Sequence, residues 1–156
     1  MFRVTMFAGM LAATLAFGFA NAFAEPQAGT SAEAKAMMER AIAELKADPA
    51  AAIDKFNKPD GEFRKGSLYV FCFNVKTGLF TAHPDRALLG TDVRWLWEMG
   101  GSPLGRKLFD AANSTNESNI VTVSYNFPKP GETSPVPKES YVTKVGNQGC
   151  GAGYYK

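Results

Sequence analysis

The chain contains one histidine, His83, and the residue that follows it is Pro84. Because proline disfavours helical backbone for its predecessor, we expect His83 in an extended segment with its ring at the end of a strand. A ring in that position could hydrogen-bond a bound anion, and protonation near neutral pH would strengthen the contact. The alternative is a ring whose partner is a backbone carbonyl, in which case it only stiffens the chain.

Cys72 and His83 together raise an enzyme hypothesis, since a thiolate beside an imidazole is a potential nucleophile. A two-residue turn at Thr77-Gly78 would make Cys72 and His83 cross-strand partners, whereas a turn one residue longer would put them on opposite faces. No third residue that would orient the imidazole is evident. We therefore predict no catalytic residue and keep a Cys72/His83-dependent enzyme as an alternative.

Composition argues against several other classes of protein. One histidine and two widely separated cysteines give no zinc-like cluster and no haem attachment motif, so we predict no metal and no cofactor. The 17 Lys and Arg residues are interspersed with 15 Asp and Glu residues, for a net charge of +2. A nucleic-acid binder would show a basic run or patch, so nucleic acid is not an expected partner.

Residues 1–24 have the composition of a cleavable secretory signal. Arg3 is their only charge, an apolar stretch runs from Met6 to Ala20, and Ala22-Phe23-Ala24 has the small-x-small pattern of a cleavage site. An uncleaved membrane anchor is the alternative, but the stretch is shorter than the roughly 18 to 20 residues that a spanning helix needs. We predict a mature domain over residues 25–156, without a membrane span, in the periplasm or outside the cell.

Two helices are predicted at the start of the mature domain. Thr30-Ser31-Ala32-Glu33 fits a capping box, and the residues from Ala34 to Leu45 place their apolar side chains on one helical stripe. This helix should end near Asp48-Pro49, and residues 50–56 can form a second, short helix.

From Ser67 onward the pattern is that of strands. Residues 68–75 are a dense run of aromatic and β-branched side chains, typical of a strand that is buried on both faces. Residues 84–116 lack strand signals and contain one predicted helix, 103–112. The other predicted strands are 79–83, 119–127, 140–145 and 150–155. Strands joined by short turns favour an antiparallel sheet, which with segregated helices makes an α+β domain.

Six short segments carry a resemblance to a known family. They are Gly66-Ser67-Leu68-Tyr69-Val70-Phe71, Thr81-Ala82-His83-Pro84, Leu88-Leu89-Gly90-Thr91-Asp92, Tyr125-Asn126-Phe127-Pro128-Lys129-Pro130, Pro137-Lys138-Glu139-Ser140-Tyr141-Val142 and Gly151-Ala152-Gly153-Tyr154-Tyr155. In this order and spacing, over about residues 31 to 156, they resemble a single Cache domain, the extracytoplasmic sensor module of bacterial chemoreceptors and histidine kinases.

The resemblance implies a PAS-like five-stranded antiparallel sheet packed on a long N-terminal helix. It also implies a pocket for a small metabolite, often a short carboxylic acid, between the sheet and the segment that covers it. In such a fold the first and last strands are neighbours, so Cys72 and Cys150 could form a disulfide, as an oxidising compartment permits. Two buried free thiols are the alternative.

Lys138 is the strongest candidate for binding an acid, because a lysine beside an aromatic pocket is costly to bury without a partner. Either its ammonium reaches solvent or a ligand carboxylate neutralises it. Buried tyrosine hydroxyls also need partners, and aromatic residues of the strand and of the covering segment could wall the pocket. The predicted ligand-binding residues are His83, Tyr125, Lys138, Tyr141, Phe71 and Trp95.

These expectations describe an exported, non-enzymatic domain that senses a small molecule, with a carboxylate favoured. Since the sequence ends directly after the last predicted strand, we expect it to signal through a separate membrane receptor, kinase or transporter. An interaction module that keeps the fold but has lost the pocket is a further alternative, and Trp95 or Phe71 would then fill the ligand volume.

Overall fold

The structure, a computed structural model, describes residues 29–156. The secretory signal predicted over residues 1–24 lies outside this range and stays a prediction. Within residues 29–156 no helix is both long enough and apolar enough to cross a membrane.

Two consecutive helices open the described part of the chain. Helix α1 is Ser31–Ala47, and its N-cap Thr30 forms the predicted capping box with Glu33. Asp48 ends α1 and caps α2, Pro49–Phe56, by accepting hydrogen bonds from the first backbone N–H groups of the second helix. Both helices were predicted, because capping side chains and proline mark their boundaries locally.

A six-stranded antiparallel sheet forms the centre of the domain. Its strands are β1 (Arg64–Lys65), β2 (Leu68–Asn74), β3 (Phe80–Ala82), β4 (Val121–Pro128), β5 (Pro135–Val145) and β6 (Gln148–Tyr155). The order is β1-β2-β6-β5-β4, and β3 pairs with β2. The α+β class and the five predicted strands are confirmed. The sixth, β1, has two residues, too few for any alternation to be visible in sequence.

Strand β5 begins at Pro135 rather than at Ser140, where the sequence predicted its start. Over Pro135–Pro137 it pairs only with β4, and its pairing with β6 starts at Lys138. A proline cannot donate to a ladder, but an edge position does not require it to do so. Because Pro135 and Pro137 are unusual in strands, the sequence did not predict that this segment is a strand at the edge of the sheet.

The first long strand and the last strand are neighbours. β2 and β6 pair antiparallel, with Cys72 directly opposite Cys150. In the structure these two residues form a disulfide with an S–S distance of 2.05 Å.

The segment between β3 and β4 covers one face of the sheet. It contains two turns of 3-10 helix, Arg86–Leu88 and Val93–Trp95, followed by α3, Leu104–Ser114. We call the face under this segment the α3 face, and the opposite face, against which α1 and α2 pack, the α1 face. The helices therefore lie on both sides of the sheet, which corrects the expectation that they are segregated to one face or edge.

Alternation along β2 separates the two faces. Tyr69, Phe71 and Phe73 belong to the core of the α3 face, while Val70 and Cys72 belong to the core of the α1 face. All five side chains are buried, which confirms the prediction of a strand buried on both sides.

Glycines of β6 make room for this arrangement. A Cβ atom on Gly151 would lie 2.5 Å from the ring of Phe71, and one on Gly153 would lie 2.7 Å from Cε of Lys138. Since real Cβ atoms do not approach so closely, both side chains need glycine beneath them. The small residues of the last strand thus let an aromatic ring and a lysine cross it on the α3 face.

Candidate functional site

Lys138 is buried on the α3 face, with 1% of its surface exposed. Its ammonium nitrogen donates a hydrogen bond of 2.7 Å to the hydroxyl of Tyr69. The same nitrogen lies 3.9 Å from the ring centroid of Tyr69, 4.9 Å from that of Tyr155 and 5.6 Å from that of Phe127. No carboxylate among residues 29–156 forms an ion pair with it.

This environment is unfavourable for a charged amine. Burial lowers the pKa of Lys138 from its usual 10.5 to about 7. Aromatic faces attract the cation, but an ammonium has three donors, and a single phenol oxygen uses only one of them. An anion entering the site would supply both the missing charge and the missing acceptors.

His83 lies beside Lys138 and is 6% exposed. Its Nδ1 accepts a hydrogen bond of 3.0 Å from the backbone N–H of Asp85, so a neutral ring carries its proton on Nε2. Burial first, and then the charge of Lys138, lower the pKa of His83 to about 4. The expected protonation near neutral pH is therefore corrected: the ring is neutral there, and it can serve an anion only as an Nε2–H donor.

Two other predicted residues lie in the same region. The hydroxyl of Tyr125 is 2.7 Å from Oγ of Ser140, and its ring centroid is 6.0 Å from the ammonium of Lys138. Phe71 is part of the same buried core. The structure thus brings together four of the six predicted ligand-binding residues on the α3 face.

Tyr141 and Trp95, the other two predicted ligand-binding residues, lie away from this group. Side chains alternate along β5, so Tyr141 lies on the α1 face, and its hydroxyl is 2.7 Å from Oγ of Ser31 in α1. Trp95 is 78% exposed, because the 3-10 turn that carries it buries Val93 instead.

Three residues of the site are absent from the predicted ligand-binding set, although Tyr69 is one of the strand aromatics expected to wall a pocket. Tyr69 shares the α3 face with Phe71, and Tyr155 follows Gly151 and Gly153 at the same two-residue spacing, so alternation could have found both. Arg64 carried no signal, because the two-residue strand that positions it has no pattern.

Two adjoining cavities border Tyr69 and His83, and Lys138 lines neither of them. The larger, about 430 Å³, is lined by Arg64, Tyr69, His83, Phe127 and the loop after β4. The smaller, about 10 Å³, lies between Tyr69, His83, Phe127 and the aromatic and leucine side chains of the α3-face core. We call them the outer chamber and the inner chamber. Three residues line both, so the chambers adjoin. Lys138 lines a third cavity of about 290 Å³, together with Glu98, Lys107 and Lys156.

The Cys72/His83 enzyme hypothesis is not supported by this geometry. Cys72 pairs with Ala82, and the register shifts by one residue between Cys72 and Phe73. The sulfur therefore faces α1, away from the imidazole, and is held in the disulfide with Cys150. Within residues 29–156 no three histidine, cysteine, aspartate or glutamate side chains are grouped as metal ligands would be.

Comparisons with known proteins find similarity in structure. No family model and no curated protein matches the chain in sequence. A periplasmic sensor domain of a chemotaxis protein superposes with a TM-score of 0.60 at 24% identity, covering 78% of this chain and 87% of that one. A methyl-accepting chemotaxis protein from Vibrio parahaemolyticus RIMD 2210633 gives 0.63 at 20% identity, with 80% and 86% covered.

A third solved structure is described as the structural basis for carboxylic acid recognition by a Cache chemosensory domain. It superposes with a TM-score of 0.62 at 20% identity, covering 80% of this chain and 92% of that chain. Identities this low establish the fold. The sequence resemblance is thereby confirmed at that level: residues 29–156 have the fold of a single Cache sensor domain.

Proposed function

We propose that this chain is an exported, non-enzymatic sensor domain that binds a small organic acid on its α3 face, with the acid's carboxylate at Lys138. The observation that carries the proposal is the buried ammonium, whose one hydrogen bond within residues 29–156 goes to Tyr69. A charge that is buried without a counterion is costly, and ionisable groups perturbed in this way cluster at functional sites.

The neighbouring groups suit a carboxylate. The oxygen of Tyr69 accepts from Lys138, and its own O–H, which is directed to the oxygen of Tyr155, could be donated to a ligand oxygen instead. Burial raises the pKa of Tyr69 well above its usual range, which keeps the phenol protonated at neutral pH. With the Nε2–H of His83, the site offers three kinds of donor to one anion. Carboxylic acid recognition by the similar Cache domain agrees in chemistry with this arrangement.

Export and signalling form part of the same proposal. A disulfide is compatible with an oxidising compartment, and the periplasmic sensor domain of similar fold is extracytoplasmic. We propose cleavage after Ala24, a mature domain of residues 25–156, and a membrane receptor, kinase or transporter that receives the signal.

The test is binding by the wild-type protein and by Lys138→Met, measured by calorimetry against acetate, propionate, lactate and pyruvate at pH 6.5. Removing one partner of a buried charge pair typically costs 2–5 kcal/mol, so we expect the affinity for the best acid to fall at least about 30-fold. Methionine fills similar space without a charge, so the melting temperature of the empty protein should stay level or rise.

The matched control is Lys144→Met, which changes a lysine near the other end of β5. Its affinity should stay within about threefold of wild type, because a partly exposed lysine far from the ligand contributes little. If Lys138→Met binds its acid as tightly as Lys144→Met does, the anion is not held at Lys138.

One observation favours a second candidate, an interaction module that has lost its pocket. The inner chamber of about 10 Å³ has room for about one water, and Phe71 is among the side chains that fill it. Trp95 and Trp97 are 78% and 63% exposed, as in a surface that contacts a partner. A wild-type protein that none of the acids stabilises would favour this candidate.

A further inference from the structure

The outer chamber is far larger than an anion at Lys138 requires. It measures about 430 Å³, whereas the inner chamber measures about 10 Å³. Tyr69, which hydrogen-bonds Lys138, lines both chambers together with His83 and Phe127. Lys138 itself lines neither chamber and is connected to both through its hydrogen bond to Tyr69. The cavity that Lys138 does line measures about 290 Å³ and is smaller than the outer chamber. If a carboxylate binds at Lys138 and Tyr69, as proposed above, the outer chamber is the largest space beside it for the rest of the ligand.

Arg64 is a second cation beside the shared wall of the two chambers. Strand β1 pairs with β2 so that Arg64 lies directly opposite Tyr69, and its side chain lines the outer chamber. It is half-buried, and no carboxylate among residues 29–156 forms an ion pair with it. After burial and Lys138, the charge of Arg64 also contributes to the lowered pKa of His83.

The other charged residues of the outer chamber are differently placed. Asp85 and Glu132 are exposed, and a carboxylate oxygen of Asp85 already accepts from the backbone N–H of Ala87. Lys129 is half-buried in the loop after β4. The wall of the outer chamber therefore presents cations, and its acidic side chains lie at the solvent edge. A guanidinium can also bind an oxyanion through two parallel hydrogen bonds.

We propose that the outer chamber is a second anion subsite, and that the ligand is an elongated dianionic acid. One carboxylate lies at Lys138 and Tyr69, and the second anionic group lies at Arg64. This inference rests on the proposed function and narrows its ligand class. A carboxylate and a phosphonate share the chemistry that Arg64 recognises, so the second group can be either.

The experiment compares acids of equal chain length, with and without a second anionic group, by calorimetry at pH 6.5. The pairs are butyrate with succinate, pentanoate with glutarate, and hexanoate with adipate, and 3-phosphonopropionate tests the phosphonate. A charge-assisted hydrogen bond contributes about 1.5–3 kcal/mol, so the best diacid should bind at least about tenfold more tightly than its matched monoacid.

Arg64→Met should remove this preference and leave the affinity for the monoacid within about threefold of wild type. Arg64→Lys, which keeps the charge but loses the two-pronged geometry, should retain part of the preference. The control is Lys65→Met, which changes the neighbouring exposed lysine of β1, paired with Glu33, and should leave both affinities unchanged. The melting temperature of each variant shows that it is folded.

Diacids that bind no more tightly than monoacids would overturn the second subsite. The second subsite would also be overturned if Arg64→Met lowered the affinity for monoacids and diacids equally, or changed neither affinity. If the preference for diacids were lost in Lys129→Met and kept in Arg64→Met, the assignment to Arg64 would be wrong. Failure of the proposed function looks different. In that case no acid binds wild type, or Lys138→Met leaves the monoacid affinity unchanged.

Discussion

The two faces of the sheet are built from the same strands but have opposite chemistry. On the α1 face the buried side chains are mostly apolar, with Met37, Met38 and Leu45 of α1 packed on β2 and the disulfide. On the α3 face aromatic rings surround Lys138 and His83, and two chambers remain. Adjacent residues of one strand thus serve different purposes, which the two-residue period of a strand makes possible.

The comparison indicates that stability and binding are separable in this domain. Apolar packing against α1 stabilises the fold, and the buried core on that face contains no lysine or histidine. The α3 face retains a buried amine that lowers stability, which is expected where a ligand later compensates. Changes on the α1 face should therefore affect unfolding and not affinity, and changes on the α3 face should affect affinity and pH dependence.

The largest effect on stability is expected from the disulfide. Replacing both cysteines, in Cys72→Ala with Cys150→Ala, should lower the free energy of unfolding by about 4 kcal/mol, because the bond closes a long loop. Affinity for the acid should stay within about threefold at a temperature where the variant is folded, since the sulfurs face α1. Denaturant unfolding and calorimetry measure the two quantities.

Intact mass before and after reduction tests the bond itself. A gain of two hydrogens is expected, and an unchanged mass would exclude the disulfide. The same spectrum identifies the amino terminus, because a chain cleaved after Ala24 begins at Glu25. A variant that loses stability and affinity in parallel would contradict the separation of the two faces.

A smaller loss of stability is expected from Met38→Ala. Met38 is fully buried between α1 and the sheet, and truncating such a side chain typically costs about 3 kcal/mol. Glu39→Ala is the matched control, since Glu39 is exposed on the same helix and should change the free energy of unfolding by less than about 0.5 kcal/mol. Acid affinity should be unchanged in both, and weaker binding by Met38→Ala would mean that the faces are coupled.

Local signals made most of the fold predictable. The capping box at Thr30 and the proline after Asp48 mark the ends of α1, and the apolar run over 68–75 identifies the central strand. These features depend on near neighbours in sequence. β1 and the first residues of β5 escaped prediction, because one is too short to show a pattern and the other carries prolines that only an edge tolerates.

The residues of the candidate site could be predicted only where alternation along a strand shows on which face of the sheet a side chain lies. Lys138 and Tyr125 lie on the α3 face, whereas Tyr141 lies on the α1 face, three residues from Lys138. Because side chains alternate along β5, Lys138 and Tyr141 cannot share a face. The burial of Lys138 and its contact with Tyr69 depend on pairing between β5, β6 and β2, which a sequence does not display.

The smallest effect, and the sharpest contrast between the faces, should come from pH. Burial holds the pKa of Lys138 at about 7, against the usual 10.5, so between these values the unfolded chain binds more protons than the folded protein. The free energy of unfolding therefore rises with pH, by on the order of 2 kcal/mol between pH 6.5 and 9 relative to Lys138→Met. Affinity for the acid should fall over the same range, because a neutral amine must first take up a proton to pair with a carboxylate.

In Met38→Ala the free energy of unfolding and the affinity for the acid should change with pH as they do in wild type, since this substitution lies on the α1 face. Unfolding curves of wild type and Lys138→Met that shift equally with pH would show that Lys138 does not titrate in this window.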